Sequence, residues 1–299
     1  MPHRVQRARM RLVRRHQEKP GWDMGSAITQ TRRVIAPLLY RRAGRPTIWS
    51  VGMVKDENDI IAYTVKHLLE EGVDRVLIAD NGSSDGTLET IRELAEEHPV
   101  EVVRDSLVAK YQAEKITRLS RLALRSGADW VIPFDADEWW FVPGSTVREA
   151  LTVTNSDVLY ADVFDHVPTT SDPPAEEVPN PYERLRNRVA QPNSLRKVAF
   201  RAHPLARVAQ GNHDVTRPGR RTVGPIEVRH FSVRSVTQLK RKIAVNQAAY
   251  SDPLLTTGGL RIGVQYRQWS AEDWNRWLTG RELVEDPVIT RPQSTEASG

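Results

Sequence analysis

The chain of 299 residues contains no cysteine. That excludes a disulfide framework, thiolate nucleophiles and thiolate metal sites, and it suits a reducing interior. No apolar run approaches the roughly 20 residues that a membrane span needs. The N-terminal MPHRVQRARMRLVRR is basic but leads into no apolar segment. No secretory leader is therefore expected, and the expected location is cytoplasmic. Aromatic residues make up only 7%, and no basic-aromatic nucleic-acid motif is present, so no nucleic-acid partner is expected. Negative charge is in the minority: 43 Lys and Arg face 38 Asp and Glu, for a net charge of +5. Such a balance can attract a phosphorylated small substrate. The N-terminal arginines could rest on anionic lipid at the inner face of a membrane, as a peripheral contact, or form a plain basic tail. What remains is the composition of a soluble globular protein, 39% apolar and 27% charged, long enough for one large α/β domain or two small ones.

Residues 1–46 read as a basic extension. From Thr47 the texture changes. TIWSVGMV (47–54), DRVLIAD (74–80), VEVVRD (100–105) and DWVIPFD (129–135) are short apolar runs of strand type. Between them, 58–72, the stretch from Leu88 through Leu94, and 113–127 carry apolar residues at helical spacing. Strands alternating with helices predict right-handed βαβ units and a mostly parallel, doubly wound sheet. Further on, STVREALT reads as a short helix, and 157–164, 196–202 and 226–233 as strands. Residues 166–195 read as a long loop, a candidate substrate lid. Helices are expected over 235–250 and 271–283, and a loose tail over 286–299.

Ligands of such sheets bind beyond the C-terminal strand ends. Three carboxylate-bearing turns follow strand ends here: Asp56-Glu57, Asp80 with Asp85, and Asp135-Asp137-Glu138 in VIPFDADEWW. Carboxylates that close repel, and near an apolar core they lose hydration, so a positive partner is expected. Two carboxylates two residues apart on an extended segment could face one ion.

KDENDIIAYTVKHLLEEGVDRVLIADNGSSDGT, then DWVIPFDADEWW, then VRHFSVRSVTQLKRK resembles the glycosyltransferase family 2 group, in a branch with KNE, D-N-G-S-x-D-G-T, D-x-D-E and late H-Y/F-x-x-R-S motifs. The likeness covers roughly 47–250. Asp56 stands where the branch usually has asparagine, and Phe231 replaces a frequent tyrosine. The resemblance implies a GT-A fold, a Rossmann-like α/β sandwich in a single domain over 47–285. Its nucleotide half is 47–140 and its acceptor half 141–285. It implies transfer of a sugar from a nucleoside diphosphate sugar to an acceptor, with a divalent cation, Mn2+ or Mg2+, and with inversion. The acceptor would be a glycan, a lipid-linked species, a peptide or a small metabolite.

The resemblance also assigns roles, each with a plainer alternative. Asp80 matches the base-binding aspartate, or forms a turn. Glu57 contacts the nucleoside, or is simply solvated. Asp85 and Thr87 fit helix capping as well as ligand contact. Gln112, Lys115 and Arg118 could reach the diphosphate, as could Arg234 and Lys242. Asp135 and Asp137 match the D-x-D pair: the first holds ribose or a metal-bound water, the second the metal. His230 would complete the metal set, with His213 as a rival. The general base is open among Asp214, Glu138 and Asp165, with Asp162 as a further competitor; Glu138 could also be a sugar-hydroxyl acceptor or lie behind a metal ligand. Trp139 and Trp140 offer a sugar floor, or core packing. The nearest alternative enzyme is a sugar-phosphate nucleotidyltransferase, which normally opens with a glycine-rich, arginine-containing loop where this chain has KDENDI. A non-catalytic carbohydrate-binding relative is the other.

Overall fold

A computed structural model of the chain describes residues 22–23, 45–105, 111–235, 238–239, 241–242 and 281–286. The N-terminal extension other than 22–23 and 45–46, the 271–280 part of the last expected helix and the tail from 287 lie outside the described residues.

The first half is built as the sequence pattern predicts. Strands β2 (Ile48–Val54), β3 (Arg75–Asp80), β4 (Val100–Asp105) and β5 (Trp130–Phe134) alternate with helices α1 (Ile61–Glu70), α2 (Thr87–Glu97) and α3 (Gln112–Arg125). Side chains alternate between two apolar clusters along each strand. Ile48, Val76, Ile78, Trp130 and Ile132 join the cluster containing α1 and α2. Trp49, Val51, Leu77, Ala79 and Val131 join the one containing α3. Both faces are thus covered, which is why these strands read as continuous apolar runs rather than alternating ones.

Among the described residues the sheet has nine strands, and β10 (Arg207–Val208) pairs with β11 (Val215–Thr216) outside it. A two-residue β1 (Trp22–Asp23) borders β4, and the order runs β1-β4-β3-β2-β5, then continues through β9 (Lys197–Arg201), β7 (Val158–Asp165), β12 (Arg221–His230) and β6 (Glu138–Phe141). From β4 to β5 the neighbours are parallel. Strand β9 is antiparallel to both neighbours, β7 and β12 are parallel, and β6 runs antiparallel to β12. The chain steps outward from β2 to β4 and then returns to the other side of β2 with β5. The crevice beyond the ends of β2 and β5 is therefore the switch point where a doubly wound sheet binds its ligand.

Three expectations need correction. The 166–195 stretch is not structureless: it holds α5 (Pro181–Arg184) and β8 (Asn187–Val189). Asn180 caps α5 through its side chain, with proline at the first helical position. The end of the expected 271–283 helix is not helical, because Leu283–Glu285 (β13) pairs with β8. The third concerns EWW, which is no turn: β6 begins at Glu138, opposite His230. The short helix over STVREALT is present as α4 (Val147–Val153), capped by Thr146 and Glu149. Of the expected 235–250 helix, the described residues 238–239 and 241–242 are helical.

Gly52 in β2 lies under the ring of Phe134, where an added Cβ would stand 2.6 Å from the ring. Phe134 is fully buried and has little room to yield. Gly52→Ala should lower unfolding free energy by about 1–3 kcal/mol in urea titration. Unchanged stability would mean that the ring swings aside and that the β2–β5 contact is looser than described.

Candidate active site

The three carboxylate turns do meet at one sheet edge, and each is shaped by its own local chemistry. After β2, Asp56 adopts φ +53, a left-handed conformation that asparagine and aspartate tolerate best. This explains why either residue serves there. Its Oδ1 accepts from the Ser84 N–H at 2.7 Å, tying the first turn to the second. Asp80, 1% exposed, accepts from the N–H groups of Gly82 (3.2 Å) and Ser83 (3.3 Å), so it builds the NGSS turn. Asp85 accepts from the Thr87 N–H at 3.1 Å at the start of α2, but the N-cap is Gly86, with no side-chain capping bond.

The D-x-D pair is split. Residues 135–137 form a turn rather than an extended segment, so the two-residue alternation fails and the carboxylates engage different partners. Asp135 Oδ1 accepts from Gln112 Nε2 (2.8 Å) and Asn212 Nδ2 (3.2 Å), and its Oδ2 from Lys197 Nζ (2.6 Å). Asp137 Oδ2 accepts from Lys242 Nζ (2.5 Å), with Arg234 at 3.9 Å. Its other oxygen faces His230 Nε2 at 3.6 Å. Burial alone would raise the Asp137 carboxyl, but Lys242, His230 and Arg234 outweigh it and hold it far below the usual carboxylate range. The turn is pinned from beneath by Thr64 Oγ1, which donates to the Ala136 carbonyl at 2.5 Å.

Glu138 points inward. It is fully buried, accepts from the Asp135 N–H (3.2 Å) and the Trp140 indole (3.0 Å), and lies 2.6 Å from Lys197 Nζ. That last contact is a close ion pair outside hydrogen-bond alignment. Burial pushes Glu138 up to about 7, and Asp135 adds to the push while Lys197 opposes it. Both tryptophans belong to the core: Trp139 stacks on His67 at 3.4 Å and Trp140 is fully buried. Neither offers a sugar floor.

His230 ends β12 with Asp165 of β7 beside it, and its Nδ1 lies 2.7 Å from Asp165 Oδ1. In the neutral ring, with Asp165 accepting from Nδ1–H, the Nε2 lone pair is left for a cation between it and Asp137. Burial would lower His230, but Asp137 and Asp165 outweigh it and raise it. A carboxylate behind an imidazole, with a second carboxylate oxygen in front, is how proteins orient a metal-binding histidine. These two donor atoms fit one divalent cation whose remaining positions come from elsewhere; Asp135 does not join them. Among the described residues, no group of three or more His, Asp or Glu is arranged around one ion.

Other expected residues are engaged elsewhere. Lys115 is buried, 2.5 Å from Asp105 and 2.9 Å from Asn81 Oδ1. It braces α3 against the ends of β3 and β4. Asp214 is bound by Tyr160 (2.7 Å) and Arg221 (2.8 Å), and its side chain is 55% exposed. His213 donates from Nδ1–H to the Arg196 carbonyl, 2.9 Å away.

Residues 53–194 match the family model described as Glycosyl transferase family 2. A comparison with curated proteins finds no match. Solved structures similar to the chain include TarS 1-349 of S. aureus in complex with UDP, at 11% identity over 78% of each chain with a TM-score of 0.41. GalNAc-T7 with UDP, GalNAc and Mn2+ is 10% identical over 70% of this chain and 49% of that one, with a TM-score of 0.38. Likenesses this distant add no argument to the family match. The family 2 glycosyltransferase segment covers the first three turns but ends before Lys197, Asn212, His230, Arg234 and Lys242. Of these, Lys197 and Asn212 escaped the sequence reading, as did Asp59. The only signal for Lys197 was a lone cation opening the apolar run KVAF.

Arg234 closes the family 2 site from the C-terminal side. Its side chain is 1% exposed and pairs with Glu57 (2.5 Å) and Asp59 (2.7 Å), while Nη1–H donates to the Phe231 carbonyl at 3.0 Å. Burial raises Glu57, and Arg234 opposes it. Arg234→Met leaves the half-buried Glu57 and Asp59 uncompensated and should cost about 1–3 kcal/mol. Urea unfolding at neutral pH measures it, and a loss under 1 kcal/mol would show that water already compensates these charges.

Proposed function

We propose that the chain transfers a sugar from a nucleoside diphosphate sugar to an acceptor hydroxyl, with a divalent cation and with inversion at the anomeric carbon. The observation that carries the cation is the trio Asp137 Oδ1, His230 Nε2 and Asp165 Oδ1, with His230 held between the two carboxylates. Asp137 and His230 would hold the ion, and neutral imidazole with carboxylate suits Mn2+ or Mg2+. When bound, the ion neutralises charge that develops on the departing nucleoside diphosphate.

The chain's own residues divide the remaining work. Asp80 and Glu57 lie where the base and nucleoside would sit, at the ends of β3 and β2. Asp135, 26% exposed at its side chain, would meet the ribose or a bound water. Lys242 and Arg234 bring positive charge to the same edge and favour the diphosphate. Of the three candidate bases, Glu138 is enclosed and Asp165 is occupied by His230. Asp214 is open to solvent, and we assign it to deprotonate the acceptor hydroxyl, for which it would have to give up its Tyr160 and Arg221 partners. Among the described residues, no helix is long and apolar enough to cross a membrane. We extend the proposal to action at the cytoplasmic side, with the arginine-rich N-terminus as a peripheral lipid contact.

Thermal unfolding in the presence of UDP, GDP, CDP and their sugars, with and without Mn2+, tests the reading. At least one nucleotide at 100 times its Kd should raise Tm by roughly 5–10 °C, and only with Mn2+. Asp137→Ala should abolish that shift. No shift with any nucleotide, or a shift indifferent to Asp137→Ala, contradicts the proposal.

A further inference from the structure

The residue that joins the two halves of the site is Lys197, at the start of β9. Its ammonium has three oxygen neighbours: Asp135 Oδ2 at 2.6 Å, Glu138 Oε1 at 2.6 Å and the Gly211 carbonyl at 2.8 Å. An ammonium has three N–H groups, so the protein's own oxygens enclose it. Its side chain is 7% exposed, against 26% for Asp135 in front of it. Lys197 is therefore placed to act on a ligand only through Asp135.

The same point fastens a loop from the acceptor half. Gln112 Oε1 accepts from Gln210 Nε2 (3.1 Å) and from the Gly211 N–H (3.2 Å), while its Nε2–H donates to Asp135. Asn212 donates to Asp135 from a fully buried position at φ +59. Its Oδ1 has no hydrogen-bond partner among the described residues. A buried carbonyl oxygen without a partner persists only where the surroundings over-determine it. Here the surroundings are Lys197, Gln112 and Asp135.

We propose that Lys197 is a positioning residue for glycosyl transfer: it fixes the Asp135 carboxylate against the 210–213 loop, so that the acceptor half forms one wall of the donor site. This rests on the donor-site reading given above. Without the ammonium, Asp135 and Glu138 face each other uncompensated, and repulsion turns Asp135 away.

The test uses the full chain at pH 8, with UDP and GDP in the presence of Mn2+ as probes, and reads both Tm and nucleotide Kd by calorimetry. Lys197→Met should lower Tm and weaken nucleotide binding by about tenfold or more, the scale of one lost hydrogen bond to a charged group. In Lys197→Met combined with Glu138→Gln, one charge of each sign is gone and Tm should recover. Binding should stay weak, because Asp135 still lacks its Nζ partner. Recovery of both would make Lys197 a charge balance only and overturn the proposal, as would Lys197→Met binding like wild type. Failure of both variants to fold would do the same, by making the residue structural. If wild type binds neither nucleotide, nor CDP used in the same way, the donor-site reading falls and takes this proposal with it; wild-type binding that survives in Lys197→Met removes this proposal alone.

Discussion

Carboxylates gathered at the ends of parallel strands must be matched by positive charge, and this constraint organises the molecule. Asp135, Asp137, Glu138, Glu57 and Asp59 come from the first half of the chain. Their partners Lys197, Arg234 and Lys242 all come from the second. Buried carboxylates left alone would take up protons or expel themselves toward water. The late strands β9 and β12 are therefore more than an extension of the sheet: they carry cations to an edge that the early strands fill with negative charge. The resulting site is held by ion pairs that cross between halves, over a turn pinned from below by Thr64.

The same accounting of charge separates structural carboxylates from available ones. Glu138 is enclosed by Lys197, Trp140 and a backbone N–H. Asp165 is taken up by His230, and Asp80 by its own turn. Asp137 keeps one oxygen directed at His230 Nε2. The five carboxylates at this edge outnumber the three cations that pair with them, and that excess of negative charge favours a further cation there. This is the sense in which the family 2 segment and the residues beyond it make one functional unit.

Much of the fold was legible because apolar runs and helical spacing are local signals. The βαβ half, α4 and the three acidic turns follow from short windows of sequence. The site was legible in kind but not in contact. D-A-D looks like two carboxylates on one side, and only the turn at 135–137 parts them. EWW looks like an exposed aromatic shelf, and only pairing of β6 with β12 buries it. Lys197 and Asn212 carried no motif, because their importance arises from a partner more than sixty residues away. β13 pairs with β8 across nearly a hundred residues, a relation that periodicity within either segment cannot express.

The central claim is that His230 and Asp137 form the cation-holding pair of a nucleotide-sugar site. Pulsed electron paramagnetic resonance of Mn2+ bound with a nucleoside diphosphate tests it without requiring the acceptor. The account predicts a nitrogen coupling on the bound Mn2+ that disappears in His230→Gln. Bound Mn2+ without nitrogen coupling, or a coupling that survives His230→Gln, would contradict it.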